Sequence, residues 1–448
     1  MIGRSALLLI QVLLWSVAIG AAQSPDEQQS DETAKEGQRA LANARFVAGD
    51  TRGALDALNA IGEPRIDDVK IEGRLRAKQD LLADYLGGHP GEMLTWGRLT
   101  RIGRRLQDLP IASTGKVRYD LGDGSAIVRP ILVEKSRFYE GAVDWVPVGV
   151  RTLIAREAVL SASDVTGHGD VWTPSVRFAS GQPRVAFNVA APAPGWLPGV
   201  VRFDTLWQRQ QFAWIQSGRT NNPIVESRSR AGAALSDWLT GWLRWEGGAA
   251  IDRIESVTYL SLNGNLNVRL FDDHMAAILG GSWYAGANET ATGNLVVTVR
   301  STTRDDRFVL LGRGGVAVAG DTAPLSLWPT AGSGYDQLAS LRAHPLVESG
   351  IVASDVLGRQ MAFVSAEGTY PVPTRMGPTF LGIVGFVDAA RAWSGLGPPS
   401  SPLHVDIGTG IRLNTSRSGG RVRLDAAYGL QDGKVHVSAG YVHPWGRR

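Results

Sequence analysis

A repeated alternation of apolar and polar residues is the feature that most limits what this chain can fold into. The segment 259–270, YLSLNGNLNVRL, places apolar side chains on one face of a strand: Leu260, Leu262, Leu266, Val268 and Leu270. The residues between them point the other way, because side chains alternate across a strand, and they are Ser261, Asn263, Asn265, Asn267 and Arg269. Such a strand fits a soluble sandwich, or a membrane barrel whose outer face meets lipid and whose lumen holds water.

Two segments near the C-terminus repeat this pattern. IGTGIRL (407–413) sets Ile407, Ile411 and Leu413 opposite Arg412, and RVRLDAAYGL (421–430) sets an apolar face opposite Arg421, Arg423 and Asp425. Charges on one face of several strands cost little in an aqueous lumen, whereas in a sandwich core each would need a partner. Segments of about ten residues recur from residue 137 onward and leave room for about sixteen antiparallel strands. The pattern favours a mainly β chain with a transmembrane β-barrel at 137–448.

Tryptophans lie near the ends of several of these strands: Trp238, Trp242, Trp245, Trp283, Trp393 and Trp445. An aromatic girdle at the two membrane interfaces predicts this placement. Large aromatic side chains also fill soluble cores, so both interpretations remain open.

Composition excludes several classes of function. The 46 basic residues are nearly balanced by 43 acidic ones, with a formal net charge of +3, so no nucleic-acid partner is indicated. Cysteine is absent, which excludes disulfides, thiolate metal sites and a cysteine nucleophile. No segment beyond the N-terminus has eighteen consecutive apolar residues, so a membrane form of this chain must be a barrel.

The N-terminal region predicts two small pieces. Residues 1–22 have an early arginine, an apolar run and small residues before a polar stretch, which is typical of a secretory signal peptide. Residues 31–62 predict a helical hairpin joined at Gly49-Asp50, with one apolar stripe from Ala40, Leu41 and Ala44 and another from Ala54, Leu55 and Leu58. The hairpin is similar to one tetratricopeptide unit, for which a docking role and a plain helical cap both remain open.

Residues 66–135 predict a small α+β domain. A strand at 67–73 is followed by a helix that ends at Gly87-Gly88, a second helix at 95–109, and two strands hinged at the GDG turn. The segment resembles a polypeptide-transport-associated (POTRA) domain in its strand ending Ile71-Glu72-Gly73, its Pro90-Gly91 turn and its second helix ending at Leu109-Pro110. The resemblance implies a periplasmic module ahead of a barrel.

Three C-terminal motifs resemble the BamA/TamA-type and two-partner-secretion superfamily of outer-membrane barrels, the bacterial surface antigen family. LRAHP (341–345) stands where the family has an apolar-Arg-Gly-aromatic motif in a loop that folds into the lumen, although Ala343 and His344 replace the glycine and the aromatic residue. GRQMAFVSAEGTYPV and FLGIVGFVDAARAW are similar to the two strands that carry acidic residues, here Glu367 and Asp388. The resemblance implies that Arg342 binds Glu367 and Asp388 and latches the loop, as a guanidinium can bridge two carboxylates.

Two further segments resemble the same superfamily. SDVTGHGDVW (163–172) is similar to the entry to the second barrel strand. KVHVSAGYVHPW is similar to the terminal strand, which in the family is the signal for assembly of the barrel itself. The resemblance assigns this signal to one face of that strand, made of Val435, Val437, Ala439, Tyr441 and Trp445.

No catalytic motif is present. The segment STGK (113–116) lacks the first glycine and the last hydroxyl residue of a P-loop and predicts the start of a strand. The seven histidines are scattered along the sequence without HExxH spacing, and Gly-x-Ser-x-Gly is absent. We therefore expect neither an enzyme nor a cofactor or metal.

The expected function is insertion or secretion of client polypeptides at the bacterial outer membrane, with the N-terminal domains in the periplasm. Clients would be captured by β-augmentation at the edges of the POTRA-like sheet. Expected partners are client polypeptides and outer-membrane lipid, and periplasmic or lipoprotein partners are left open. The alternatives are a passive channel or porin, a structural or adhesive surface barrel, and export of polysaccharide.

Overall fold

A computed structural model describes residues 25–138, 145, 148–149, 152–153, 156–195, 197–213, 215–216, 219–220, 222–303, 307–333, 339–353, 356–372, 380–396, 400–414 and 421–442. The proposed signal peptide and Trp445 lie outside these residues. The chain forms two compact units. The first contains the residues up to Asp68 with His89–Trp96 and Asp120–Ile127, and the second contains Val69–Gly88, Gly97–Tyr119 and all residues from Val128.

Two helices, α1 (Pro25–Val47) and α2 (Thr51–Asn59), form the hairpin expected around Gly49-Asp50. The Asp50 side chain accepts a hydrogen bond from the Gly53 N–H at 2.9 Å and so caps α2. Ala54, Leu55 and Leu58 are buried, as predicted. The stripe predicted for α1 is wrong, because Leu41 is exposed and its neighbour Ala42 is buried instead, about 100° further around the helix.

The segment after the hairpin has the predicted order of strand, helix, helix, strand and strand. Its elements are β1 (Arg65–Val69), α3 (Gln79–Leu86), α4 (Trp96–Asp108), β2 (Ala112–Leu121) and β3 (Ser125–Glu134). Gly87 ends α3 in the left-handed conformation, with φ of 64°. The strands form one sheet in the order β1-β3-β2, and the segment 113–116 lies inside β2, as expected of a strand.

Most of the remaining described chain forms a closed barrel sheet of eighteen strands, compared with the expected number of about sixteen. They are β4 (Glu157–Val159), β5 (Ala162–Ser163), β6 (Val171–Arg177), β7 (Arg184–Pro192), β8 (Val200–Phe212), β11 (Ile224–Trp238), β12 (Leu243–Ile254), β13 (Val257–Leu270), β14 (Met275–Ala285), β15 (Thr290–Arg300), β16 (Val309–Ala319), β17 (Val347–Glu348), β18 (Ile351–Val352), β19 (Gly358–Val372), β20 (Phe380–Gly395), β21 (His404–Asn414), β22 (Arg421–Gly429) and β23 (Val435–Val442). Strands β17 and β18 lie in the connection between β16 and β19, which pair directly with each other. A separate two-stranded ladder joins β9 (Ile215–Gln216) to β10 (Arg219–Thr220). The prediction of a mainly β chain built around a large antiparallel barrel is confirmed.

The two faces of the wall differ as the alternation predicts. On β13, Leu260, Leu262 and Leu266 are exposed on the outside, whereas Ser261 is buried and points inward. The lumen side of the neighbouring strands carries ion pairs, including Arg230 to Asp204 at 2.9 Å and to Asp252 at 2.8 Å. The apolar face therefore covers the outside of the barrel, and the polar face lines its interior. Within the part of the chain described above, no helix is both long and apolar enough to cross a membrane.

The tryptophans do not all occupy the positions that a girdle predicts. Trp242 and Trp283 are 50% and 42% exposed, which suits an interface. Trp238 is buried instead, and its indole N–H donates to Asp108 of α4 at 2.8 Å. A tryptophan at a strand end can thus serve packing against a helix, a role that strand position alone does not reveal.

The segment 320–357, here called the lumen segment, connects β16 to β19 but leaves the wall. β16 and β19 pair directly with each other, so the segment is not needed to continue the sheet. It contains β17, β18 and a short 3-10 helix, Leu325–Leu327. Val352 pairs with Phe212 of β8, which is separated from β16 by five other strands of the barrel order. The segment therefore crosses the inside of the barrel.

Candidate functional site

Carboxylates point into the lumen from four consecutive strands, and they form the acidic side of the candidate site. They are Glu367 on β19, Asp388 on β20, Asp406 on β21 and Asp425 on β22. Asp388 and Asp406 are directly opposite each other in the strand register, and the side chains of Asp388, Asp406 and Asp425 have no solvent exposure. Buried carboxylates need cations or hydrogen-bond donors, and the lumen segment provides them.

Arg342 of the lumen segment lies among three of these carboxylates. Its guanidinium nitrogens are 2.9 Å from Glu367, 3.2 Å from Asp388 and 3.8 Å from Asp425. Its Cζ atom also lies 3.8 Å from the ring centroid of Phe386, a cation–π contact. The structure thus brings together Arg342, Glu367 and Asp388, the three residues predicted from the sequence.

A second arginine completes this ion cluster. Arg412 of β21 donates to Glu367 at 2.8 Å and to Asp425 at 2.5 Å, and it is buried. Sequence reasoning placed Arg412 and Asp425 on the polar face of their strands but did not connect them with Arg342. The available signal was that Arg412, Asp425 and Asp388 all occupy inward-facing positions of their strands. This alternation does not show which of them touch until the register of β20, β21 and β22 is known.

The two residues after Arg342 differ from the family motif and are nevertheless docked. The Ala343 N–H donates to Asp406 at 2.7 Å, and Ala343 is completely buried. The His344 ring contacts Asp406 through Nδ1 at 2.9 Å and Asp432 through Nε2 at 3.0 Å. His344 therefore fills the aromatic position of the motif with a ring that also binds two carboxylates.

His344 and His404 correct the view of the histidines as scattered. Their ring centroids are 4.8 Å apart in an edge contact, and both residues are buried. Asp406 and Asp432 lie beside His344, so these histidines do have acidic partners. The sequence could not reveal this cluster, because its members come from the lumen segment, strand β21 and the turn between β22 and β23.

The other side of the lumen segment is also anchored. Glu226 of β11 accepts hydrogen bonds from the N–H groups of Leu325 and Ser326, both at 3.0 Å, at the start of the 3-10 helix. An apolar cluster surrounds this region: Phe212, Leu325, Leu346, Val352 and Leu357. The lumen segment is thus bound to β8 and β11 on one side and to β19–β22 on the other.

Helix α4 binds the strand ends and turns of the barrel through its basic face. Arg105 donates two parallel hydrogen bonds to Asp237, at 2.8 and 2.6 Å, and both side chains are buried. Arg104 contacts Asp273 at 2.6 Å, between β13 and β14. Consecutive antiparallel strands alternate in direction, so the β11–β12 and β13–β14 turns lie at the end of the barrel opposite the β22–β23 turn.

The predicted assembly signal lies on the closing strand β23. Val435 and Val437 are 73% and 61% exposed on the outer face, and Ala439 is partly exposed. Tyr441 pairs with Val422 in the register. The exposure of Val435, Val437 and Ala439 agrees with the predicted face, while an assembly role stays a prediction.

Comparison with known proteins shows which solved structures share this fold. Neither a family profile nor a curated protein sequence matches the chain. CdiB from Escherichia coli superposes with a TM-score of 0.58 at 14% identity, over 85% of this chain and 75% of that one. BamA from Haemophilus ducreyi lacking POTRA domains 1–3 superposes with a TM-score of 0.50 at 12% identity, over 84% of each chain. The chain has the BamA and CdiB barrel fold. CdiB from Acinetobacter baumannii agrees, with a TM-score of 0.51 at 12% identity over 85% and 73% of the two chains.

The resemblance drawn from the sequence motifs is confirmed at the level of this BamA/CdiB-type fold. Within that fold, the candidate site is the contact between the lumen segment and the inner wall. Its core is Arg342 with Glu367, Asp388, Asp425 and Arg412.

Proposed function

We propose that this protein is an outer-membrane barrel that inserts or translocates client polypeptides. In this proposal, Arg342 holds the lumen segment against the inner wall of the barrel. The observation that carries the proposal is the buried ion cluster that joins Arg342 to β19, β20 and β22 inside a BamA/CdiB-type barrel. Because these ion pairs join the segment to three wall strands through one side chain, breaking them would loosen this part of the segment.

Lipid is the expected environment of the outer face. Large apolar side chains are exposed around the barrel, for example Leu262, Val316, Ile383 and Leu424. Soluble monomers rarely expose apolar surface on this scale, whereas a membrane barrel requires it. This supports an outer-membrane location, and the segment with the POTRA-like order would then lie on the periplasmic side.

Strand β2 is the proposed site of client capture. In the sheet order β1-β3-β2, it pairs with β3 on one side and forms an edge on the other. The opposite edge strand, β1, already uses its outer side, since Ile66 exchanges backbone hydrogen bonds with Gly91 and Glu92. A client strand would therefore add to β2, where main-chain hydrogen bonds supply affinity with little dependence on client sequence.

The proposed activity requires no enzymatic reaction and no cofactor. Backbone pairing and burial of client side chains in lipid provide the driving force. A passive porin would need neither a two-sided anchor for the lumen segment nor a helix fixed to its turns. An adhesive surface barrel would use its outer loops, and no specific contact among the described residues favours that function.

The direct test is client folding in proteoliposomes. Purified protein is reconstituted in vesicles of outer-membrane lipid, a urea-unfolded outer-membrane barrel is added, and the folded fraction is followed by gel mobility and protease protection. We expect faster insertion than in empty vesicles, or transfer of a secreted client into the vesicle. A steady ion conductance with no effect on either client would overturn the proposal and favour a porin.

A further inference from the structure

Three metal-ligating side chains converge where the lumen segment meets the barrel wall. His344 belongs to the lumen segment, His404 begins β21, and Asp432 lies in the turn between β22 and β23. One ligand atom from each residue lies within 4.8 Å of the others. Parts of the chain that are distant in sequence thus place two imidazoles and a carboxylate around one point.

We propose that His344, His404 and Asp432 bind a divalent transition-metal ion, with Zn²⁺ as the first choice. Two imidazole nitrogens and one carboxylate oxygen are a common ligand set for Zn²⁺, and the remaining position is free for water. The set also accommodates Co²⁺ and Ni²⁺, whereas Mg²⁺ and Ca²⁺ prefer oxygen ligands alone. The chain has no cysteine, so no thiolate competes for the ion.

Asp406 orients the central ligand of this site. Its Oδ1 atom lies 2.9 Å from Nδ1 of His344, on the side of the ring away from Asp432. A carboxylate beside one ring nitrogen holds the imidazole in place and leaves the other nitrogen to bind metal. In His344 that other nitrogen is Nε2, which faces Asp432 at 3.0 Å.

Gly429 lies close to two of the ligands, and the ligands differ in their exposure to solvent. A Cβ atom added to Gly429 would lie 2.5 Å from Oδ1 of Asp432 and 3.1 Å from Cε1 of His344, so the glycine lets these two side chains approach the backbone closely. The His344 side chain is 4% exposed and that of Asp432 is 28% exposed. The ion would thus enter past Asp432 and reach the imidazoles behind it.

Binding requires a modest contraction of the three ligand atoms. Bond lengths of about 2.0–2.1 Å place two ligands of one Zn²⁺ about 3.3 Å apart. The widest pair must therefore approach by up to about 1.5 Å, while His344 and Asp432 are already 3.0 Å apart. The bound ion would connect His344 of the lumen segment to β21 and to the last hairpin, independently of the function proposed above.

Metal analysis of the purified protein tests this site. Protein without a histidine tag is treated with EDTA, dialysed against ZnCl₂, and analysed by inductively coupled plasma mass spectrometry. We expect about one Zn²⁺ per chain, and binding at least about tenfold weaker in His404→Gln and in Asp432→Asn. His274→Gln is the matched control, since this partly exposed histidine lies in the β13–β14 turn, away from the site, and should keep the binding of the parent.

Folding is checked in each variant by heat-dependent gel mobility, and Asp432→Asn keeps the test valid if His404→Gln fails to fold. Loss of Zn²⁺ from folded Asp432→Asn, with retention by His274→Gln, supports the site. A folded parent that binds no Zn²⁺ above the dialysis buffer overturns the proposal. Equal binding by the parent, His404→Gln and Asp432→Asn would overturn it as well.

Discussion

Asp388 and Asp406 lie directly opposite each other on adjacent barrel strands, and both side chains are fully buried. Two facing carboxylates destabilise a sheet unless cations or donors compensate them. Arg342 supplies the cation for Asp388. The Ala343 N–H donates a hydrogen bond to Asp406, and the His344 ring lies beside the same carboxylate. The lumen segment therefore compensates buried charge on two adjacent wall strands, together with the Ser365 hydroxyl, which donates to Asp388 at 2.6 Å.

Replacement of Arg342 should release the lumen segment. Arg342→Ala leaves Asp388 without its cation, and breaking a buried ion pair from one side costs about 3–5 kcal/mol. We expect a larger or fluctuating single-channel conductance in planar bilayers. Arg359→Ala is the matched control, since Arg359 pairs with the 95% exposed Asp321 of the same segment. If the two variants give identical traces, Arg342 does not latch the segment.

The energetic link between Arg342 and Asp388 can be measured separately. In the Arg342→Ala background, Asp388→Asn removes the uncompensated charge and should recover part of the lost stability. Residues in contact within one network usually couple by about 0.5–3 kcal/mol in a double-mutant cycle. Urea midpoints of unfolding provide the four free energies of the cycle, and strictly additive values would argue against a direct ion pair.

Asp237 should control how firmly α4 is held. Asp237→Asn removes the charge that accepts both hydrogen bonds from Arg105, and hydrogen bonds to charged groups contribute about 1.5–3 kcal/mol. We expect faster amide hydrogen exchange in α4. Asp273→Asn should have a smaller effect, because its pair with Arg104 is partly exposed. Equal exchange in both variants would show that Asp237 has no special role.

An arginine introduced on the outer face of the barrel should destabilise it more than an arginine introduced on the inner face. Leu262 is 44% exposed on the outside of β13, and Asn265 points into the lumen of the same strand. We expect Leu262→Arg to destabilise the barrel folded into vesicles by about 2–4 kcal/mol. Asn265→Arg should change its stability little. Urea titration of folding measures both. Equal tolerance at the two positions would contradict a lipid-facing outer surface.

Strand β2 should crosslink to clients. A photo-reactive amino acid at Lys116, which is exposed on β2, should capture an unfolded client polypeptide in proteoliposomes. The same group at Asp67 of β1 is the control, because the outer side of β1 is already hydrogen bonded around Ile66. Client capture that is equally strong at both positions would argue against β-augmentation at β2.

Local patterns in the sequence were enough to predict the elements and the two faces of the wall. Alternation in 259–270 assigned Leu262 to the outside and Ser261 to the inside, because a strand has a strict period of two. The order of elements in 66–135 was equally readable, since glycine and apolar spacing mark helix ends and strand turns within a few residues. Motif resemblance added Arg342, Glu367 and Asp388.

The tertiary structure alone decided which of these residues meet. Register between strands brings Arg412 and Asp425 to Arg342, and the path of the lumen segment brings His344 to His404 and Asp432. The same holds for Arg105 and Asp237. Sequence periodicity describes one strand at a time, whereas register and the path of a long loop depend on the summed packing of many strands, so contacts between distant residues become visible only in the folded barrel.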